Sequence, residues 1–269
     1  MPVTRQTVFL PGGSTGIGLA IARQLAAGGN RLCLFARNPV NLAAAVAELE
    51  ALGAKAYGYA VDAADYPALQ AAFADAVRDA GPPALLVNCV GRAYPRHFED
   101  IAHGEMLDTL RVNFGSMWNA AQLVLPYMKA RGGGHVVNTA SLGGFIGVFG
   151  YADYSASKFA VIGFSEVLKQ ELRKYGIKVQ VLCPPDTETP GFATENRTKP
   201  RETQLISESA RLMQPDEVAR LAVRQMRGGG FMVIPGMDGR LSWWLKRWWP
   251  GLVDWVMGRA IRKAQGGGR

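Results

Sequence analysis

Tyr154 and Lys158, four residues apart in YSASK, form the pair in this chain best suited to moving a proton. A spacing of four puts both side chains on one face of a helix. A phenol near its ordinary value is a poor acid or base at neutral pH. An ammonium close by favours phenolate and brings the group toward a usable range. Ser141, at the end of the apolar run HVVNTAS, adds a hydroxyl that can donate to an oxygen on which charge develops. Asn113, in LRVNFGSMW, is a polar group within an apolar helical stretch, placed to hold a water joining Lys158 to solvent. Taken singly, each has a plain structural role: a core-edge tyrosine, a solvated lysine, an N-cap serine, a helix-kinking asparagine.

A second constellation lies at the head of the chain. PGGSTGIG at 11–18 follows an apolar run and opens a helical one. Gly12 permits a tight turn, Gly16 lets a helix start close to a pyrophosphate, and Gly18 allows close helix–sheet packing; Ser14, Thr15 and Ile17 complete the phosphate-facing loop. The next strand ends in Ala36, Arg37 and Asn38. A site for NAD would normally carry an acid here to bind the adenosine ribose, whereas Arg37 offers a fork of donors suited to a 2'-phosphate, so the cofactor expected is NADPH. Beyond the following strands, Asp62 is placed to hold the adenine amino group, and Asn88 and Gly91 sit where strand ends meet the cofactor cleft. Asn88 serves equally well as a bridge between strand ends.

These groups need elements to hold them. Strands expected at 7–10, 31–36, 55–60, 84–89, 135–139, 178–183 and 231–234 alternate with helices at 16–28, 40–52, 66–80, 104–130, 152–174 and 215–227. That alternation means crossover connections and a parallel sheet covered on both faces. The fold class is α/β, a Rossmann-type doubly wound sheet in a single domain over 1–237. Two segments break the rhythm: a polar insertion at 184–213, long enough for a lid, and an extension at 238–269.

Composition narrows the partners. With 269 residues, 48% of them hydrophobic, the chain can bury a full core. Cys33, Cys89 and Cys183 lie in strand-like runs and read as reduced, buried thiols. No cysteine or histidine has a partner at metal-ligand spacing, so no metal is expected. The N-terminal stretch lacks an h-region of signal-peptide length, which points to the cytoplasm or the cytoplasmic face of a membrane. The net charge of +8 is concentrated in residues 240–269, which hold seven basic side chains against the single acid Asp254. The nearly neutral body argues against nucleic acid.

The glycine loop, NCVG at 88–91, Asn113, Ser141 and YSASK together resemble the short-chain dehydrogenase/reductase family over residues 5 to about 235. The resemblance implies that Asn113, Ser141, Tyr154 and Lys158 form a catalytic tetrad. Tyr154 would protonate a developing alkoxide as hydride arrives from NADPH, and Lys158 would bind the nicotinamide ribose. Pro11, Cys89, Val90 and Pro185 depart from the family pattern without removing a catalytic group. The insertion CPPDTETPGFATENRTKPRETQLISE at 183–208 is similar to that of the branch reducing 3-oxosphinganine, the 3-ketodihydrosphingosine reductases. This likeness implies a long-chain lipid ketone as substrate. It brings Thr187 and Thr189 to the cofactor and leaves Asp186, Glu188 and Glu195 to face the substrate's amine, with Glu188 expected in that role. The alternatives are a 3-oxoacyl carrier-protein reductase, a reductase of another lipid ketone, and a catalytically silent NADP-binding scaffold. The resemblance also implies a homodimer, or a homotetramer built from such dimers.

Five of the six tryptophans fall at 243, 244, 248, 249 and 255. Beside lysine and arginine they suit the headgroup region of a bilayer, and the charges interrupt any full span. Residues 240–264 are therefore expected at a membrane surface, divided near Pro250. The alternative is a tail packed on its own lid or on a neighbouring subunit. The terminal QGGGR is read as disordered.

Overall fold

A computed structural model of the chain describes residues 4–208 and 211–266, so the last three residues of QGGGR lie outside it, as do two residues of the insertion. One all-parallel sheet contains β1 (Thr7–Pro11), β2 (Arg31–Ala36), β3 (Lys55–Ala60), β4 (Leu85–Asn88), β5 (Gly134–Thr139), β6 (Ile177–Leu182) and β7 (Met232–Val233). The spatial order is β3-β2-β1-β4-β5-β6-β7. The winding direction reverses between β1 and β4, and the crevice beyond the carboxyl ends of these strands is where such a sheet receives a ligand.

Alternation along each strand splits the core in two. Val8, Leu10, Leu32 and Leu34 face α1 (Gly16–Ala26), α2 (Pro39–Ala51) and α9 (Pro215–Met226). Phe9, Phe35, Leu86 and Val136 face α3 (Tyr66–Ala80), α5 (Ser116–Ala130) and α6 (Ala152–Leu172). Because both faces are covered, the strands are apolar almost throughout, which is why continuous runs rather than alternating ones mark them in the sequence.

The expected helix at 104–130 is interrupted. α4 (His103–Leu110) passes into a π-helical turn at Arg111–Gly115 before α5 begins, and Asn113 sits in that turn. Such a bulge aims side chains that a regular helix would direct elsewhere. The insertion folds as α7 (Pro190–Glu195) and α8 (Arg201–Glu208), and a bridge between Thr187 and Met213 ties its two ends together.

The extension forms α10 (Met237–Trp248) and α11 (Pro250–Ala264), parted at Pro250, whose ring cannot continue the preceding helix. Trp243 packs beside a core cluster containing Val181 and Ile234. α11 lies against α8, where Gln265 Nε2 donates to Glu202 Oε1 at 3.2 Å. Trp244, Trp248, Trp249 and Trp255 nevertheless remain 44 to 63% exposed. Among the described residues no helix is long and apolar enough to cross a membrane.

Candidate active site

A cleft of about 840 Å³ opens at the carboxyl end of the sheet and is lined by both constellations read from the sequence. Its floor is the β1–α1 loop. Gly12 has φ +78°, and a Cβ there would lie 2.7 Å from the Cys89 carbonyl carbon. A Cβ on Gly18 would lie 2.2 Å from the Gly12 carbonyl oxygen. Only glycine lets the loop fold back on itself and lets α1 begin against it. The N-cap Thr15 makes no side-chain capping bond, leaving the first-turn amides of α1 open to an anion. Ser14, Gly16 and Ile17 also line the cleft. The cradle therefore fits a pyrophosphate by the space that absent side chains leave and by its unpaired donors.

Arg37 is exposed at the cleft edge and has no hydrogen-bond or ion-pair partner among the described residues, as a guanidinium awaiting a phosphate would be. Asp62 borders the same end, with its carboxylate accepting from Ala64 N at 3.0 Å and Arg111 Nη1 at 3.3 Å. Gly91 and Thr187 are at the wall; Thr189 caps α7 by accepting from Phe192 N at 3.0 Å. Asn88 does not line the cleft. It is fully buried and donates to Asn138 Oδ1 at 2.8 Å across the β4–β5 ladder, and Asn138 in turn donates to Ser165 Oγ. Of its two readings, the bridge between strand ends is the one the geometry favours.

At the other end, Tyr154 and Lys158 share one face of α6, with Lys158 Nζ 5.8 Å from the Tyr154 ring centre. Lys158 is 3% exposed and donates to Thr139 O at 3.0 Å. Ser141 Oγ accepts from Gly143 N at 3.1 Å and forms a side-chain hydrogen bond with Tyr154. Asn113 is committed to protein groups: Nδ2 donates to Arg92 O at 2.9 Å and Ser157 Oγ at 3.0 Å, and Oδ1 accepts from Arg92 N at 2.9 Å. It clamps the loop after β4 to the catalytic helix rather than standing open for a water.

The electrostatics differ from the expectation of a lowered phenol. Burial pushes the Tyr154 phenol up, and the Ser141 hydrogen bond opposes this only in part. Burial brings Lys158 down to about 8. Desolvation is the largest influence on both groups, so Tyr154 is held in its protonated form, as a proton donor requires.

Two supporting groups, Asp153 and Tyr151, carry no local sequence signal, and Glu195 meets the second of them instead of standing open to the substrate. Asp153, buried at the start of α6, accepts from its neighbour Tyr154 N at 2.8 Å and from Thr109 Oγ1 at 2.7 Å. Tyr151 donates to Glu195 of the lid, and its ring lies 5.5 Å from that of Tyr154. Glu195 is paired with buried Lys199 at 3.0 Å. Glu188, expected to face the substrate, is instead exposed, absent from the cleft lining, and bonded by Gln214 Nε2.

Comparison with known proteins agrees with this arrangement. Residues 6–200 match the family model described as short chain dehydrogenase. The 3-dehydrosphinganine reductase of Danio rerio is 38% identical over 237 residues, covering 86% of this chain and 71% of that protein. Among solved structures, actinorhodin polyketide ketoreductase with NADPH superposes with a TM-score of 0.77 at 33% identity, covering 86% of this chain and 97% of that one. The 3-oxoacyl-[acyl-carrier protein] reductase of Brucella melitensis gives 0.75 at 29% identity, covering 86% and 90%. The chain belongs to the short-chain dehydrogenase family and is an oxidoreductase acting at a ketone or alcohol.

Proposed function

We propose that the chain uses NADPH to reduce the 3-keto group of a long-chain sphingoid ketone, 3-oxosphinganine, to the alcohol sphinganine. The observation that carries this reading is the similarity to a 3-dehydrosphinganine reductase over 86% of the chain. Gly12, Ser14, Thr15, Gly16, Ile17, Gly18, Arg37 and Asp62 would hold the adenosine and phosphate half of the cofactor, and Gly91, Tyr154, Lys158, Thr187 and Thr189 the nicotinamide half. Bound NADPH supplies the hydride. Tyr154 delivers its phenolic proton to the carbonyl oxygen. Gly143 N–H occupies an acceptor site of Ser141 Oγ, which leaves the Ser141 hydroxyl proton to donate to that same oxygen. Lys158, anchored on Thr139 O, keeps further N–H donors for the ribose and a positive charge beside the phenol. The test is product identification: the purified protein with NADPH and 3-oxosphinganine should yield sphinganine mole for mole with cofactor oxidised, and cofactor oxidation without that alcohol would reject the assignment.

The lysine gives the reaction a pH limit. Lys158, lowered to about 8 by burial, is charged below that value and neutral above it. The phenol is pushed up and retains its proton throughout this range. The kcat/KM for NADPH in the reductive direction should therefore be level below about pH 8 and decline above it, since this parameter reports the free enzyme. A steady-state pH profile rising through pH 8 to 9 would contradict the assignment of Lys158.

The exposed tryptophans of α10 and α11 belong to the same reading. A sphingoid chain of about fifteen methylenes at ~0.8 kcal/mol each would cost on the order of 12 kcal/mol to move from bilayer to water, so an enzyme awaiting free substrate would meet almost none. Residues 240–264 then lie in the headgroup region, rings half buried and cations toward anionic lipid, on the cytoplasmic face. Contact between α11 and α8 would set the lid beside the lipid. Deleting residues 240–269 should abolish co-sedimentation with anionic liposomes while activity on a short, soluble ketone persists; unchanged sedimentation would reject the anchor. Trp118, Phe159 and Val167 of α5 and α6 are 46 to 54% exposed, apolar surface suited to pairing two copies in a homodimer.

A further inference from the structure

We infer that Asp186 recognises a protonated amine on the carbon next to the ketone, so that the cleft selects 2-amino-3-ketones over plain ketones and thioesters. This rests on the proposed function and assigns the residue within it.

Of the three lid carboxylates expected to face the substrate, two are already satisfied. Glu188 is exposed and held by Gln214. Glu195 accepts from Tyr151 and is paired with Lys199, a side chain only 2% exposed, at 3.0 Å. Asp186 alone lines the cleft half-buried with no hydrogen bond or ion pair to its carboxylate among the described residues.

The other cleft cations are engaged or distant from this end. Arg92 is paired with Asp108, Lys158 is bonded to Thr139 O, and Arg37 stands beyond the tip of β2. The backbone at Asp186 is fixed on both sides. Met213 N donates to Asp186 O at 3.0 Å, Glu188 N donates to Met213 O at 2.9 Å, and Thr187 Oγ1 donates to Pro185 O at 2.8 Å. A carboxylate on so constrained a backbone keeps its place when the ligand enters.

Its position carries a physical conflict that a suitable substrate resolves. Burial is the main reason the Tyr151 and Tyr154 phenols are pushed up, and the negative charge of Asp186 adds to the shift of both. When Tyr154 gives up its proton, the phenolate forms within reach of that charge, and the like charges oppose one another. An ammonium on the adjacent carbon pairs with the carboxylate and offsets the repulsion. A 3-oxoacyl thioester brings no cation to this point and would leave Asp186 desolvated and unpaired.

The test compares a short, soluble 2-amino-3-ketone with the same ketone lacking the amine, NADPH being held saturating. The wild-type protein should prefer the amino ketone. In Asp186→Asn, which keeps the shape and removes the charge, the ratio of kcat/KM for amino over des-amino ketone should fall roughly tenfold, the size of one charge-assisted hydrogen bond. Asp186→Glu, which restores the charge at a longer reach, should recover part of the ratio. A wild-type preference that survives unchanged in Asp186→Asn would overturn the assignment of Asp186 and leave the substrate reading standing. A wild-type protein that reduces the des-amino ketone or a thioester but not the amino ketone would overturn both.

Discussion

Replacing Tyr154 with phenylalanine is expected to lower kcat by a factor of about 10² to 10⁴, the usual contribution of a positioned general acid, while NADPH binds nearly as before. The substitution removes one oxygen, which bonds to Ser141. The ring remains, with Tyr151 on one side at 5.5 Å and Lys158 Nζ at 5.8 Å. Its floor is fixed independently by Asp153, which holds the backbone at Tyr154, and by Thr139, which holds Lys158. The cofactor cradle and the lysine therefore survive, and only proton delivery is lost. Fluorescence titration with NADPH beside steady-state turnover separates the two. Near wild-type turnover would mean that the proton comes from elsewhere, and the whole site assignment would fall.

Gly18→Ala is expected to be the most damaging single methyl in the chain. The new Cβ would stand 2.2 Å from Gly12 O and 2.9 Å from Gly12 C, both backbone atoms of a loop pinned against Cys89. Neither can yield as a side chain would, so α1 must lift from the loop and carry Ala20, Ile21 and Leu25 partly out of the core. Overpacking of this kind costs about 3 kcal/mol. It also draws first-turn amides away from the pyrophosphate position. Losing two such charge-assisted bonds at about 1.5 kcal/mol each weakens NADPH binding roughly a hundredfold. Gly104→Ala is the control, because a Cβ there meets nothing within 4 Å on the exposed first turn of α4, and alanine favours the helix by up to about 1 kcal/mol. Equal melting temperatures and equal NADPH affinities for the two variants would contradict this view of the loop.

The parallel sheet was legible because most of its strands are apolar runs separated by helical stretches, and because its central strands are buried on both faces. The glycine loop and YSASK were legible for a different reason: their chemistry depends on spacing within a few residues, which the chain displays directly. What could not be read were contacts closed by the fold. Asn88 meets Asn138 fifty residues away in sequence, so its commitment to the sheet has no local sign. Gln214 claims Glu188 across the lid, and Tyr151 claims Glu195 from the catalytic helix. Those two contacts move the open carboxylate from Glu188 to Asp186. The π-helical turn around Asn113 leaves the apolar pattern of the long helix almost intact, which hides the break between α4 and α5. The direction of the phenol has no sign in the sequence because residue types report charge partners, whereas burial, the larger influence on Tyr154, exists only once the lid and α6 are packed. In the extension, Pro250 announced the division between α10 and α11; the docking of α11 on α8 fits the alternative of a tail packed on its own lid, which no local pattern favours over a membrane contact.

Whether the protein is an NADPH-dependent reductase of a sphingoid ketone is decided by one set of initial rates from the purified protein. 3-Oxosphinganine in mixed micelles and a 3-oxoacyl thioester are each offered with NADPH and with NADH. The expected result is the highest kcat/KM for NADPH with 3-oxosphinganine, reduced when either the cofactor or the ketone is exchanged. A higher kcat/KM for the thioester, or tighter use of NADH than of NADPH, would contradict it.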